Sequence, residues 1–477
     1  MRRAILRVPT LLPPDLATIS GGDWAVHEIG HAALGDARRT ARAVRILAAF
    51  GDQPNASVSE AMGSPAAAKA AYCLFENDDA KPEVLRTAHH QSTAARTRNE
   101  EIVLVLHDTT ELDWTSHPAT TGLGPLSAPS HQGLHVHSSF AVTTDGVPLG
   151  LLNQIVWARD PETRGIAEER RTRAFDDKES AKWTTGIAAS ADVVGPGPRL
   201  IHIGDQESDV YDVVRAALER GDEIVLRACQ NRRTDEPGRL SHDVVAAAPA
   251  AGTRTIQVGR APNRPARDAE LTLRWTTLTV LAPKYRYAEK LPPVTVTAVL
   301  VEELDPLAGS EAIRWLLITT VPTTSVEEAW ERVRWYALRW RIERYHYVLK
   351  SGFRMEERQF QTAERLERVL AFAAIVAWRV LFLTYVGREA AAEPARWLTP
   401  AQGRILWAAT HPKDPGHDTP LTNREAVRAL GRLGGFMGRR HDGEPGAKVL
   451  WRGVQRFTLI CLGVQLAPLL LDFEGKE

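Results

Sequence analysis

The sequence predicts a mixed α/β protein: a strand-rich middle carrying its own β-strand insertion, with helical segments on either side. Three observations predict it. Residues 23 to about 100 are rich in alanine and arginine at helical spacing. Short, continuous apolar runs follow, of the kind that buried strands show. Two of those runs, "EIVLVLHDTT" and "RLIHIGDQES", each lead into an aspartate, Asp108 and Asp205.

The elements follow in order. "GDARRTARAVRILAAFG" opens on Asp36, a helix-capping residue type, and carries Arg38, Arg39, Arg42 and Arg45 at helical spacing. By itself an arginine row is an ordinary helix face; it also suits contact with phosphates. "SPAAAKAAYCLFEND" and "PEVLRTAHHQSTAART" read as two further helices. The first buried strand ends at Asp108, and "LHVHSSFAVTTDGVPLGLLNQIVW" reads as two strands joined at Asp145-Gly146. "DKESAKWTTGIAASADVV" is a helix, and the second buried strand ends at Asp205. "SDVYDVVRAALERG" is a helix with a glycine stop, and "DEIVLRA" a strand. Residues from about 230 to 312 add strands such as "TRTIQV", "AELTLRWTTLTVL" and "VTVTAVLV", and "RWLLITT" follows. Ligand sites in such sheets collect at the carboxyl ends of strands, although an aspartate there also serves as a plain cap.

Composition narrows the class. The 477 residues include 44% hydrophobic and 25% charged, ordinary for a soluble globular chain. The formal net charge is zero, which argues mildly against nucleic-acid binding. Local excess exists all the same: from Arg424 to Arg456 seven arginines and Lys448 face only Glu425, Asp442 and Glu444. Three distant cysteines, Cys73, Cys229 and Cys461, offer neither metal-finger spacing nor a disulfide framework and suit a reducing cytoplasm. The start "MRRAILRVPTLLPPDLATI" reads as a tail, not a signal peptide, and no apolar run is expected to span a membrane.

The stretch "RVRWYALRWRIERYHYVLKSGFR", residues 332–354, has a helical pattern. At about 100° per residue, Tyr336, Arg339, Glu343 and Lys350 share one face, and Leu338, Ile342, Tyr345 and Leu349 form the buried stripe opposite. One reading is a solvated face with an Arg339–Glu343 pair, which stabilises only slightly. The other is a face aimed at a polyanion, with one carboxylate reserved for a cation. Taken with Asp108 and Asp205, expected on neighbouring strands, Glu343 completes a set of three carboxylates that cannot all stay ionised at one place without cations. Hard oxygen ligands suit Mg²⁺ or Mn²⁺, and two such ions about 3.5–4 Å apart clamp both oxygens of a phosphodiester displacement. Tyr336, Arg339 and Lys350 would hold the flanking phosphates.

The spacing Tyr336-x2-Arg339-x3-Glu343-x6-Lys350 resembles the Tyr-Arg-Glu-Lys signature of bacterial cut-and-paste DDE transposases of the insertion-sequence group called IS-four. "HDTTELDW" and "GDQESDVYD" resemble its two aspartate motifs, "HAALGDARRTARAV" its N-terminal DNA-end-binding segment, and "LGRLGGFMGRRHDG…LWRGVQRF" its C-terminal domain. The resemblance implies a helical end-binding domain over 1–98 and a ribonuclease-H-like catalytic domain over 99–385, interrupted by the insertion at about 230–312. It implies a helical C-terminal dimerisation and DNA-contact domain over 386–477. It implies that Asp108, Asp205 and Glu343 are metal ligands for two Mg²⁺ ions, with Mn²⁺ as substitute. Tyr336, Arg339, Lys350 and Arg227 would contact DNA near the cut, and Trp315 would accommodate a flipped base. Arg38, Arg39 and Arg42 lie in the end-binding segment. It further implies a cytoplasmic, nucleoid-associated homodimer on DNA that cuts transposon ends through a hairpin intermediate and joins them to target DNA, with no membrane partner.

One position departs from the family pattern: its second motif commonly reads Asp-Arg-Glu-Ala-Asp, and here Gln206 replaces the arginine. Two other readings remain open, a catalytically silent DNA-binding inhibitor of transposition and a stand-alone nuclease of the same fold. The three retained carboxylates oppose the first, and the arginine-rich C-terminal segment and end-binding-like N-terminus oppose the second.

Overall fold

The structure, a computed structural model, describes residues 23–161, 175–258, 267–307, 312–416 and 418–474. The N-terminal tail expected from residues 1–19 lies outside the described residues, as do residues 259–266 and 308–311 of the insertion.

Five helices come first: α1 Asp23–Ile29, α2 Ala37–Asp52, α3 Val58–Met62, α4 Pro65–Phe75 and α5 Pro82–Thr97. Their starts are chemically marked. The Asp36 carboxylate accepts the Arg38 amide at 2.8 Å, and Ser57 and Glu60 form a reciprocal capping box on α3. The ten strands described are β1 Ile102–Asp113, β2 Gly124–Pro125, β3 Gln132–Thr143, β4 Pro148–Trp157 and β5 Arg199–Gly204, then β6 Glu223–Arg227, β7 Ala250–Val258, β8 Arg267–Val280, β9 Val294–Glu303 and β10 Arg314–Thr319. All ten join one mixed sheet in the order β2-β3-β1-β5-β6-β10-β9-β8-β7, with β4 paired to β3. Only β1–β5 and β5–β6 run parallel. The expected insertion is therefore no separate body; β9, β8 and β7 extend the sheet beyond β10.

The sheet is covered on both faces, and its strands alternate accordingly. Leu104, Leu106, Val225 and Leu317 enter one core, while Ile224, Leu226, Leu316 and Ile318 enter another with Trp183 and Ile187 of α6 Ala181–Val194 and Val213 of α7 Tyr211–Arg220. Gly146 turns the β3–β4 hairpin at φ +89°, as the Asp-Gly pair predicts. A short helix, α8 Ser241–Ala246, packs on β8 and β9.

Helices return after β10: α9 Val326–Ala337, α10 Trp340–Tyr347, α11 Ala363–Glu389, α12 Pro400–Thr410, α13 Asn423–Leu433 and α14 Ala447–Glu474. Helix α11 corrects one expectation, for it is long and apolar enough by length and composition to cross a membrane. Its apolar stretch is wholly buried here. It is apolar on every side because α2, α4, α5, β4, α13 and α14 all pack on it. The two arginines it carries inward are engaged: Arg368 donates to Phe75 O at 2.9 Å and reaches Asp78 at 2.9 Å, and Arg379 lies 4.1 Å over the Trp24 ring.

Candidate active site at the carboxyl edge of the parallel strands

The parallel register aligns the two aspartates. The last β1–β5 pair is Leu106↔Ile203, and Asp108 and Asp205 each come two residues later. Asp205 ends its strand as expected: its carboxylate accepts the Glu207 amide at 2.9 Å and caps the turn Gln206–Ser208. Asp108 does not. Strand β1 runs on to Asp113 because β3 continues to supply ladder partners, pairing Ser138 with Asp108. Asp108 thus sits mid-strand, at the point where its parallel neighbour stops. Its carboxylate accepts the Thr109 amide at 2.9 Å and lies 3.5 Å from His346 Nδ1.

The single helix expected over 332–354 is broken. Backbone bonds tighten to three-residue spacing at Leu338–Ile342, and a π-turn, Val348–Gly352, follows α10. The break has a packing cause, since α9 lies on β5, β6 and β9 while α10 lies on β1 and α11. One straight rod does not serve both surfaces. Ile342, Tyr345 and Leu349 are buried as expected, and Leu338 is only half-buried. Tyr336 is not on a solvated face: it is 4% exposed, packed edge-on to Trp315 with ring centres 5.1 Å apart. Glu343 is not alone either, because Arg339 Nη2 lies 2.5 Å from its Oε1, one helical turn away. Lys350 sits in the π-turn, 3.6 Å from Glu356.

The charge of Asp108 reaches the other two carboxylates. Burial raises the Asp108 pKa, but His346, Arg339 and the Thr109 amide together carry it below the ordinary value. Asp205 is raised, by burial first and then by the charge of Asp108. Glu343 is raised by burial and again by Asp108, with Arg339 only partly offsetting. Among the described residues, no three His, Cys, Asp or Glu side chains are gathered closely enough to hold one metal ion. Arg339, which acts on all three acids, supplies the positive charge between them. Chemically the donor set fits a hard divalent cation: carboxylate oxygens, two of them in acids whose ionisation burial and a like charge resist.

Arg227, Trp315 and Tyr336 come together beside this edge. Arg227 closes β6 next to β10, donates to Arg314 O at 3.4 Å, and acts with Arg339 on the Tyr336 hydroxyl. The arginine row belongs to another part of the fold, on α2, where Arg38 is taken by Asp36 and Arg39 by Asp79 at 2.7 Å, while Arg42 is half-buried. The two acids that follow Gln206 in the motif find cations elsewhere, Glu207 from Lys182 at 2.7 Å and Asp209 from Arg232 at 2.8 Å.

Sequence reasoning missed the histidines. His346 follows Glu343 by three residues, so one turn of α10 presents both toward Asp108; that spacing was the available signal. Beneath Asp108, His107 and His202 share a 2.9 Å bond, and His137 bonds Thr109 Oγ1 at 3.0 Å. All three are buried, and burial drives His137 and His202 down to about 3. No local pattern distinguishes such residues from exposed ones.

With this geometry in view, both ends of the chain match known families. Residues 22–80 match the transposase DNA-binding family, and residues 375–469 match the dimerisation domain of Tn5 transposase. The first covers α1–α4, and the second runs from within α11 into α14. The two matches support a DNA transposase of the Tn5 type, with DNA as its partner and a second copy of the chain beside it.

Proposed function

We propose that this chain is a cut-and-paste DNA transposase whose chemistry takes place between β1, β5 and α10. The observation that carries the reading is the alignment of Asp108 with Asp205 across a parallel pair, with Glu343 in electrostatic reach of Asp108. The strand order β4-β3-β1-β5-β6, antiparallel on one side of β1 and parallel on the other, supports a ribonuclease-H-like catalytic core. Helices 23–97 would form the end-binding part and residues 386–474 the dimerising part.

Asp108, Asp205 and Glu343 would hold Mg²⁺, or Mn²⁺ in its place. Bound there, divalent ions supply Lewis acidity at the scissile phosphate and lower the pKa of an attacking water or 3′-OH. The protein's own groups do the rest. His346 lies against the Asp108 carboxylate, and Arg339, bonded to Glu343 here, would be free to meet a phosphate once that carboxylate held a cation. Lys350 and Arg227 add positive charge along the backbone, and the Trp315 ring offers a stacking face for an unpaired base. The same constellation would serve end cleavage, hairpin formation, hairpin opening and joining to target DNA, since each is a displacement at phosphorus.

An exposed stripe supports dimerisation through α14. Leu459, Leu462 and Leu466 are 56%, 49% and 47% exposed at helical spacing, inside the matched dimerisation segment. The test is Mg²⁺-dependent cleavage of DNA carrying the element's own ends, against random duplex. Glu343→Gln is expected to bind end DNA normally and to cut none of it. End DNA left intact by the wild-type protein would instead favour a silent inhibitor, and equal cutting of random DNA a plain nuclease.

A further inference from the structure

A second feature lies on the same edge of the sheet, beyond Asp205. A cavity of about 530 Å³ opens there, lined among others by Tyr211, Gln230, Arg232, Arg233, Lys284 and Tyr285. Its wall is continuous with the second carboxylate's motif: Asp209 follows Asp205 by four residues, and its Oδ2 accepts the Cys229 and Gln230 amides at 2.8 Å each. The outer rim is the tight turn Lys284–Glu289, "KYRYAE". Tyr285 and Tyr287 on this turn are 78% and 87% exposed. Single exposed apolar side chains are ordinary, but two nearly bare rings on one turn gain nothing for the fold.

The turn is not slack. Arg286 reaches inward to Asp212 at 2.5 Å and to Glu289 at 2.6 Å, so the guanidinium ties the turn to α7. The rings are presented from a fixed backbone, which reduces the ordering cost of binding. The charge around them is positive. Arg232 is balanced by Asp209, and Arg286 by Asp212 and Glu289. Among the described residues, Arg233 donates to a carbonyl, Ala282 O at 2.8 Å, and meets no carboxylate, and Lys284 is exposed with no carboxylate partner. Ring faces beside uncompensated cations match the chemistry of unpaired nucleotides, whose bases stack while their phosphates meet the cations. A duplex offers the phosphates but not the base faces.

We propose that the Lys284–Glu289 turn and its cavity form a binding site for unpaired nucleotides of a DNA strand, separate from the Trp315–Tyr336 pair. The inference rests on the transposase reading, in which strands are parted near Asp205. The probes are a fluorescein-labelled oligothymidylate of about 20 nucleotides and a random duplex of the same length, followed by anisotropy at low salt. Y285A/Y287A is expected to weaken oligothymidylate binding about 10-fold while changing duplex binding by less than about twofold. Y285F/Y287F restores it, because stacking needs the ring and not the hydroxyl. Lys284→Glu also weakens it, with a shallower salt dependence. Unchanged oligothymidylate binding in Y285A/Y287A overturns the proposal, and so does an equal loss on both probes or a failure of the phenylalanines to restore binding. Wild-type cleavage of end DNA is scored in parallel. Its absence would remove the transposase reading, whereas normal cleavage with unaltered variant binding would remove only this site.

Discussion

A buried acid cluster and a half-buried one in this molecule both combine carboxylates with an arginine and a histidine, and they behave in opposite ways. In the first, Glu28 of α1 is 2% exposed, and Arg96 of α5 grips it with two bonds of 2.9 and 3.1 Å while His89 adds a third at 2.5 Å. Arg96 also donates to Leu149 O, and His89 Nε2 accepts the Leu151 amide, so the cluster locks α1, α5 and β4. Burial opposes ionisation of Glu28, yet Arg96 and then His89 override it and hold the pKa at about 2. In the second, Arg339 serves Asp108, Asp205 and Glu343 together, and two of the three are pushed upward. One arginine per carboxylate makes a structural element. One arginine among three carboxylates leaves a demand for positive charge that a metal ion can meet.

The contrast can be broken by mutation, and the largest effect is expected at the under-compensated cluster. Asp205→Asn should lower end-DNA cleavage more than about a thousandfold, since metal-held charge stabilisation contributes several kcal/mol. It should not lower the melting temperature, because the amide still accepts the Glu207 bond and no longer needs to ionise in a buried position. Mn²⁺ should raise the melting temperature of the wild type and not of this variant. A variant that melts well below the wild type would make Asp205 a structural acid.

Arg96→Ala is the mirror experiment. It strands Glu28 in the interior, and about 3–5 kcal/mol of stability is expected to go, read by urea unfolding. A loss below about 1 kcal/mol would place this pair with ordinary surface pairs and end the contrast.

Acid separates the clusters next. The Glu28 pKa is depressed, so its contribution is present above the ordinary 4.5 and is lost as pH falls toward about 2. His137 and His202 are depressed from 6.5 to about 3, so the unfolded chain takes up their protons first. Stability should therefore begin to fall below about pH 6.5, by about 1.4 kcal/mol per pH unit for each buried histidine, before Glu28 contributes. A flat stability between pH 7 and 5 would contradict neutral burial of these rings. The smallest effect is expected from Trp315→Ala, which should slow hairpin formation about tenfold more than the first nick, as followed on labelled end DNA. Equal slowing of both steps would leave the ring a packing partner of Tyr336 only.

What the sequence disclosed was local. Capping at Asp36, the Asp145-Gly146 turn, and the neighbouring strands that lead to Asp108 and Asp205 follow from residue type and spacing. What it withheld depends on partners distant in the chain. Strand β1 outlasts Asp108 because β3 pairs with it there, which no run of apolar residues encodes. The break after Tyr336 reflects two surfaces, the sheet and α11, that demand different helix directions. The pairing of Arg339 with Glu343 was legible as one of two readings, and choosing between them required knowing how many carboxylates share one cation.

The position of α11 has a consequence for how the chain is made. The N-terminal helices close their core against it, through Arg379 on Trp24 and Arg368 on Phe75 and Asp78. A ribosome finishes Thr97 long before it reaches Glu389, and at about 5–20 residues per second that interval lasts roughly 15–60 s. Throughout it, a bundle bearing the apolar faces of Leu47, Phe50 and Phe75 has no cover of its own. The nascent chain therefore exposes these faces for most of its synthesis, and the N-terminal helices can close their core only once the segment matched to the dimerisation domain has begun to be made.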